Sequence, residues 1–275
     1  MGRRGKPARL KRKPAPKFWP IHRKEDPWVL KPASGPHNLQ NCLPLTLVLR
    51  EILGIAQTRK EAQTILHQGK VLVDGKIQQN DDIPVGLMDV ISIPDADKYY
   101  RIITNHKGLY LSEISKEETS YKLCRIDDKM TVTKGVQLNL HDGSNLLIKV
   151  ADVKKPQEDV YNTFDILKLN IPSKEIVGCI QLKEGHYAII TGGKNIGVKG
   201  KIIEIEKTEA KKRKNALVVI EDERGGHYQT ILDFVFTLSE TKPLPPAPTP
   251  EEEEEEKPAE SQEKPEESQE ATPVV

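Results

Sequence analysis

The sequence predicts an α+β chain, mostly β and divided into several domains, and three observations carry that expectation. Helical periodicity is confined to two adjacent stretches between residues 41 and 69. Short β-type runs separated by glycine and Asp-Gly turns fill most of the folded remainder. Charge is segregated to the two ends, outside every stretch that has an apolar period.

The 275 residues carry 42 Lys/Arg and 41 Asp/Glu, and the resulting net charge of +1 conceals that segregation. Residues 1–31 hold 11 Lys/Arg against 2 Asp/Glu, residues 241–275 hold 3 Lys against 11 Glu, and residues 32–240 hold 28 of each sign. Five segments are therefore expected: a basic extended arm (1–40), a two-helix and hairpin module (41–96), a central β domain (97–174), a small barrel (175–240) and a disordered acidic, Pro/Glu-rich tail (241–275). The arm, rich in Pro, Lys and Arg, reads as extended and disordered when alone.

The first helix is carried by Leu45, Val48, Leu49, Ile52 and Leu53, with Pro44 before it and Gly54 as its stop. Thr58 and Glu61 have the spacing of a capping box and start a second helix, whose apolar face is Ala62, Ile65 and Leu66. Asp74-Gly75, between Lys70–Val73 and Lys76–Ile77, marks a tight hairpin. GLMDVISI at 86–93 supplies a closing strand, and further runs fall at Tyr100–Ile103, Leu109–Leu111, Gln137–Leu140 and Leu146–Val150. A short helix is expected over Ser115–Tyr121, and about five strands over 175–240.

Function points to a polyanion. Arg3, Arg4, Lys6, Arg9, Lys11, Arg12, Lys13 and Lys17 run unbroken by any acid and are followed by Phe18, Trp19 and Trp28. Cations neutralise phosphates and release counterions, while aromatic rings stack on unpaired bases. Arg59, Gln63, His67 and Lys70 share an arc of the second helix, Arg59 and Lys60 lie at its N-terminus, and Lys70 and Lys76 flank the hairpin turn. In TGGKNIGVKGKI at 191–202 the glycine spacing does not fit a nucleotide P-loop, because Gly197 is followed by Val198.

Several strings sharpen this by resemblance. GKVLVDGK at 69–76, after two short helices, resembles the small RNA-binding module named after bacterial ribosomal protein S-four. SGPHNLQNCLPL at 34–45, GLMDVISI, KLCRI at 122–126 and VQLNLHDG at 136–143 are similar, in this order, to the e-type S-four family of archaeal and eukaryotic small ribosomal subunits, and closer to the archaeal members. TGGKNIGVKGKI resembles the KOW motif of SH3-like barrels, with Gly197 at the central glycine and Lys194 and Lys199 as loop cations. The resemblance implies a structural ribosomal protein of the cytoplasm, with small-subunit rRNA and neighbouring ribosomal proteins as partners and His37 as an RNA contact. It implies no cofactor, metal, membrane or small-molecule substrate.

Other classes fare worse. The seven histidines are dispersed, no nucleophile elbow occurs, and Cys42, Cys124 and Cys179 form no CxxC pair, which suits a reducing compartment and not a zinc site. No apolar run approaches a membrane span, and the basic N-terminus lacks the apolar stretch of a secretory leader. A KOW-type transcription-elongation factor and an RNA-modifying enzyme are the rival readings; the second lacks room for a catalytic domain. The tail departs from the family pattern. Its run Glu251–Glu256 is expected to be solvated, or to cover the basic arm before assembly.

Overall fold

A computed structural model of the chain describes residues 9–133, 135–150, 160–206, 215–222 and 224–239. Expectations for Arg3, Arg4, Lys6 and the acidic tail lie outside the described residues.

The arm is not a free extended segment. β1 (Leu10–Lys11) and β2 (Trp28–Val29) pair antiparallel, and the loop between them folds back on the body. Trp19 is 3% exposed and donates its Nε1–H to the carbonyl of Cys42 at 2.9 Å. The Arg23 guanidinium donates to the carbonyls of Arg12, Lys13, Ala15 and Pro16 at 2.8–3.2 Å, fixing a segment that has no regular ladder of its own. The expected disorder is corrected over residues 9–40: one buried indole and one multiply bonded arginine outweigh the low apolar content of the segment.

The module follows local chemistry closely. After β3 (Cys42–Pro44), the apolar stripe forms α1 (Leu45–Leu47) and continues as a π-helical turn over Val48–Ile52, closed by the Leu53 N–H on the Val48 carbonyl at 3.0 Å. Leu45, Val48 and Leu49 are fully buried. Helix α2 (Arg59–His67) begins at Thr58 with both halves of the capping box: Thr58 Oγ1 accepts from the Glu61 N–H, and the Glu61 carboxylate accepts from the Thr58 N–H. β4 (Leu72–Val73) and β5 (Lys76–Ile77) are joined by Asp74 and Gly75, both at positive φ (49° and 71°), the requirement of a type I′ turn.

The expected single strand over 86–93 is divided. β6 (Pro84–Gly86) pairs with β3, a turn follows, and β7 (Val90–Ile93) pairs with β4 and with β8 (Lys98–Asn105). With β9 (Gly108–Glu113) this gives a five-stranded antiparallel sheet of order β5-β4-β7-β8-β9. Pairing thus runs across residues 96/97, where a domain break was expected. The helix expected at Ser115–Tyr121 is a single 3-10 turn over Glu117–Ser120.

Tyr121 instead starts the longest strand, β10 (Tyr121–Val132), which none of the expected runs included. Its first half pairs with β13 (Ile166–Asn170) and its second with β11 (Gly135–Leu140), with a register shift between Ile126 and Asp128. β12 (Asn145–Lys149) and β14 (Ile176–Ile180) complete the second sheet, β12-β11-β10-β13-β14. The expected boundary at 174/175 therefore cuts through a β13–β14 hairpin.

β15 (Tyr187–Ile190), β16 (Lys199–Glu206), β17 (Leu217–Asp222), β18 (His227–Ile231) and β19 (Val235–Ser239) form the third sheet, β18-β17-β16-β15-β19. The three sheets share a junction core of Met88, Ile103, Leu123, Ile166, Ile189 and Phe236, two from each sheet region and all under 5% exposed. Mostly β with few helices, the fold is built on long-range pairing. Replacing Trp19 by Ala is expected to destabilise the protein by about 3–5 kcal/mol, read from urea unfolding; a loss under about 1 kcal/mol would mean that the arm is not part of the core.

Candidate nucleic-acid interface

Side chains alternate across a strand pair, so β1 and β2 have two faces. Leu10 and Val29, opposite each other in register, pack against the core. Lys11 and Trp28, the next pair, lie on the outer face with Arg9, and both cations stand over the Trp28 ring at 5.7–5.9 Å. Beside them runs a groove of about 620 Å³ lined by Arg9, Arg12, Trp28, Lys31, Arg50 and Arg59. Asp26, Glu51 and Asp82 also line it, so the cationic surplus is partial.

The expected site residues sort by chemistry. Lys13, Lys17, Lys60, Lys76 and Lys194 are exposed and form no ion pair with a described residue. Arg12 is committed inward, to Asp26 Oδ2 at 2.8 Å, Glu25 Oε2 at 3.5 Å and the carbonyls of His22 and Trp28. Arg59 Nε donates to Asp81 Oδ2 at 2.6 Å, and Gln63 donates to the same oxygen at 3.0 Å. Burial of Asp81 is outweighed by these donors, and its carboxyl is held below the usual range. Lys70 lies 3.6 Å from Asp95. The helical arc of Arg59, Gln63 and Lys70 is therefore partly spent on the protein's own carboxylates.

Two expected contacts are corrected. Trp19 is buried and presents no ring face to a base. His37 is 9% exposed, with Nε2 at 2.9 Å from Asp89 Oδ2, and is an interior group. Gly197 does have positive φ (85°), but the close approach it permits is to this chain: a Cβ there would lie 2.3 Å from the Asn105 carbonyl carbon. Lys194 is exposed ahead of Gly197 in the loop, and Lys199 is half-buried at the start of β16.

The structure brings Arg9, Arg12 and Arg59 to one groove; it leaves Lys70, Lys76 and Lys194 off it. Sequence reading missed Lys31 and Arg50 as groove cations. Arg50 was accessible to it, since it is the one cation between the apolar positions 45, 48, 49, 52 and 53. Among the described residues no group of three or more His, Cys, Asp or Glu is placed to hold a metal ion. Burial pushes Cys42 up to about 12 and Cys179 up to about 11, far from a reactive thiolate.

The interior holds a buried charge cluster that the sequence did not announce. Lys122 Nζ donates to Asp89 Oδ1 at 2.5 Å, to Asp74 Oδ2 at 2.7 Å and, more weakly, to Asp142 Oδ2 at 3.4 Å. Asp74 belongs to the β4–β5 turn, Asp89 to the β6–β7 turn and Asp142 to the β11–β12 turn, while His37 brings in the arm. Burial disfavours the Lys122 ammonium, but the charges of Asp89 and Asp74 outweigh it and hold the amine well above its ordinary range. Asp142 is buried too, yet Lys122 and the Ser144 donors hold it at about 2. For Asp74, burial and the neighbouring Asp89 charge win over Lys122, and its carboxyl is raised.

Next to the cluster, His141 Nδ1 accepts from the Arg125 N–H at 3.1 Å, and Nε2 is 3.1 Å from the Leu87 carbonyl, so Nε2 carries the proton. A second proton would have to displace the Arg125 donor. Burial, then the charge of Lys122, pushes this imidazole down to about 4.

Comparison with known proteins agrees with this architecture. Family models match in three places: the RS4NT (NUC023) domain at residues 4–40, the S4 domain at 46–91 and Ribosomal family S4e at 96–176. Small ribosomal subunit protein eS4 of Staphylothermus marinus is 48% identical over 246 residues, covering 89% of this chain and 97% of the relative. Its namesake in Methanococcus aeolicus is 45% identical over 246 residues, covering 89% and 99%. The crystal structure of the 30S ribosomal protein S4e from Thermoplasma acidophilum superimposes with a TM-score of 0.59 at 29% identity, covering 72% of this chain and 95% of that one.

Replacing Lys122 by Met leaves the buried carboxylates without their cation and is expected to cost about 3–5 kcal/mol. Urea unfolding reads this, and a loss below about 1 kcal/mol would refute the role of the ammonium. His141 generates a pH dependence whose sign follows from its lowered pKa. The unfolded chain takes up the proton near 6.5 and the folded protein only near 4, so stability is full above pH 6.5 and falls towards pH 4. His141→Asn, which keeps an acceptor for the Arg125 N–H, should flatten urea midpoints over that window; parallel profiles for both proteins would exclude His141 as the source.

Proposed function

The chain belongs to ribosomal family S4e, a family of structural ribosomal proteins and not of enzymes, and from that premise we propose that it holds small-subunit rRNA through exposed cations on a prefolded body. Its role is structural, in the small ribosomal subunit. The observation that carries the RNA reading is the division of labour among its cations. The arginines Arg12, Arg23 and Arg59 bond the protein's own carbonyls and carboxylates, whereas Lys13, Lys17, Lys60, Lys76 and Lys194 stand exposed with no internal counterion among the described residues. Such ammonium groups are suited to phosphates, which they neutralise with release of counterions.

In this proposal the basic arm, the S4 module and a KOW-type third unit each meet rRNA. The third sheet supports the KOW assignment through its β15–loop–β16 hairpin, with Gly197 at positive φ and Lys194 exposed ahead of it. Five segments remain the working division, adjusted so that β8 and β9 go with the module and β14 with the central sheet. Contacts to the backbone and shape of A-form RNA fit exposed lysines better than base readout does. Neighbouring ribosomal proteins are further partners, and the cytoplasmic ribosome is the proposed location. The relatives lend no support to a transcription-elongation factor or an RNA-modifying enzyme.

On a sucrose gradient at high salt the protein is expected to stay with the small subunit; migration as free folded protein would overturn the reading. For the isolated protein, log affinity for small-subunit rRNA should fall with log salt by about 0.7–0.9 per phosphate contacted. The double variant Lys13→Gln, Lys17→Gln should make that slope shallower by about 1 per lost contact. A flat salt response of the parent protein is the result that excludes phosphate binding.

A further inference from the structure

The chain has two tryptophans, and the fold treats them oppositely. Trp19 is 3% exposed with its N–H satisfied, while Trp28, at 47%, belongs to the exposed large apolar side chains of the described residues. Hydrophobic packing does not account for Trp28: its register partner Lys11 is a cation, and the core-facing positions of this ladder are taken by Leu10 and Val29. The ring is held by an ordered antiparallel pair and has two cations within 6 Å of its centroid, Arg9 at 5.9 Å and Lys11 at 5.7 Å. Cations so placed polarise the ring and leave ammonium and guanidinium groups beside it.

The adjoining groove adds a second, independent feature. Arg50 lines it, with Nε buried and without a partner, and only a 3.4 Å contact from Nη2 to Glu51. Its Nε is out of a ligand's reach, but the guanidinium, 33% exposed and engaged by one 3.4 Å ion pair, suits an acceptor-rich ligand. An aromatic face, flanking cations and a groove lined by a partly exposed guanidinium together match what an unpaired nucleotide offers: a π-face, a phosphate and oxygen acceptors. A duplex offers only the last two, because its bases are stacked on one another.

We propose that Trp28 is a stacking platform for one unpaired base of single-stranded RNA, with Arg9 and Lys11 on the phosphates beside it and the groove past Arg50 receiving the neighbouring nucleotide. This rests on the reading that the arm faces rRNA and adds to it the form of RNA and the residue that selects it. Base–aromatic stacking sets the scale, a loss of roughly 5- to 150-fold in affinity when the ring is removed.

The test uses the full-length protein, an oligoadenylate of roughly ten nucleotides and an RNA duplex of similar length. Trp28 is the exposed fluorophore and Trp19 the shielded one, so the oligoadenylate should quench the red-shifted, solvent-exposed part of the emission and leave the buried part unchanged. Trp28→Ala should abolish that quench and weaken oligoadenylate binding by the factor above, with duplex binding changed less than about 2-fold. Trp28→Phe, which keeps an aromatic face, should restore most of the affinity. Unchanged oligoadenylate affinity in Trp28→Ala overturns the proposal, as does an equal loss for both RNAs; in either case salt-dependent duplex binding by the parent would leave the rRNA reading standing. Failure of the parent to bind either RNA at low salt would overturn both.

Discussion

An ammonium group in the interior of a protein has to be met by anions, and the position of Lys122 dictates much of this molecule. Its three carboxylates come from three turns, Asp74, Asp89 and Asp142, in two different sheets, and Asp89 in addition accepts from the Gly86 N–H and lies 2.9 Å from His37. Each ion loses several kcal/mol of hydration, which Coulombic attraction offsets without a large surplus. The value of the cluster is therefore geometric. Only one arrangement of arm, module and central sheet leaves every charge paired, and a slip in any of the three turns strands a carboxylate or the amine. Arg125 works in the same way between the second and third sheets, bonding Asp127 Oδ1 and the carbonyls of Asp233 and Val235.

The arm shows how residue type decides between inside and outside. A guanidinium has five donors in a rigid plane and serves several carbonyls together; Arg23 reaches four and Arg12 two, with two carboxylates in addition. A lysine offers a strongly hydrated point charge on a flexible stem, and Lys13 and Lys17 in the same loop remain in solvent. Counting charge along the sequence treats these residues as equals. The folded arm separates them into scaffold and surface.

That separation also marks what was legible in the sequence. The capping box of Thr58 and Glu61 and the type I′ turn of Asp74-Gly75 depend on neighbours a few residues apart, and both are found where their spacing places them. Strand β10 was hidden because two charges, Lys122 and Arg125, occupy positions among Leu123, Cys124 and Ile126 and spoil the alternation by which strands are recognised. Lys122 is held by Asp89, and Arg125, beside its local partner Asp127, by the Asp233 carbonyl, so the contacts that bury them lie far away in sequence and no local window shows them as core. The same holds for His37 and for the two tryptophans. Trp19 and Trp28 sit in similar basic surroundings, and only the β1–β2 register and the carbonyl of Cys42 tell the buried ring from the exposed one.

Interior order has a direct bearing on how surface cations work. Met88 and Ile103 of the first sheet region, Leu123 and Ile166 of the second, and Ile189 and Phe236 of the third pack into one core, which fixes the sheets relative to one another. Lys60 and Lys76 on the module and Lys194 in the β15–β16 loop are thus carried on one body. Each exposed lysine contributes little to an isolated encounter in salt, where charges more than about 8–10 Å apart are screened from one another. In the proposed role, lysines held by a common core would meet a folded polyanion without the ordering cost that a flexible chain would incur at every contact. The same reasoning explains why buried charge is tolerated here: Lys122 and Arg125 add little net stability, yet they fix the relative placement of the sheets that display the outer cations.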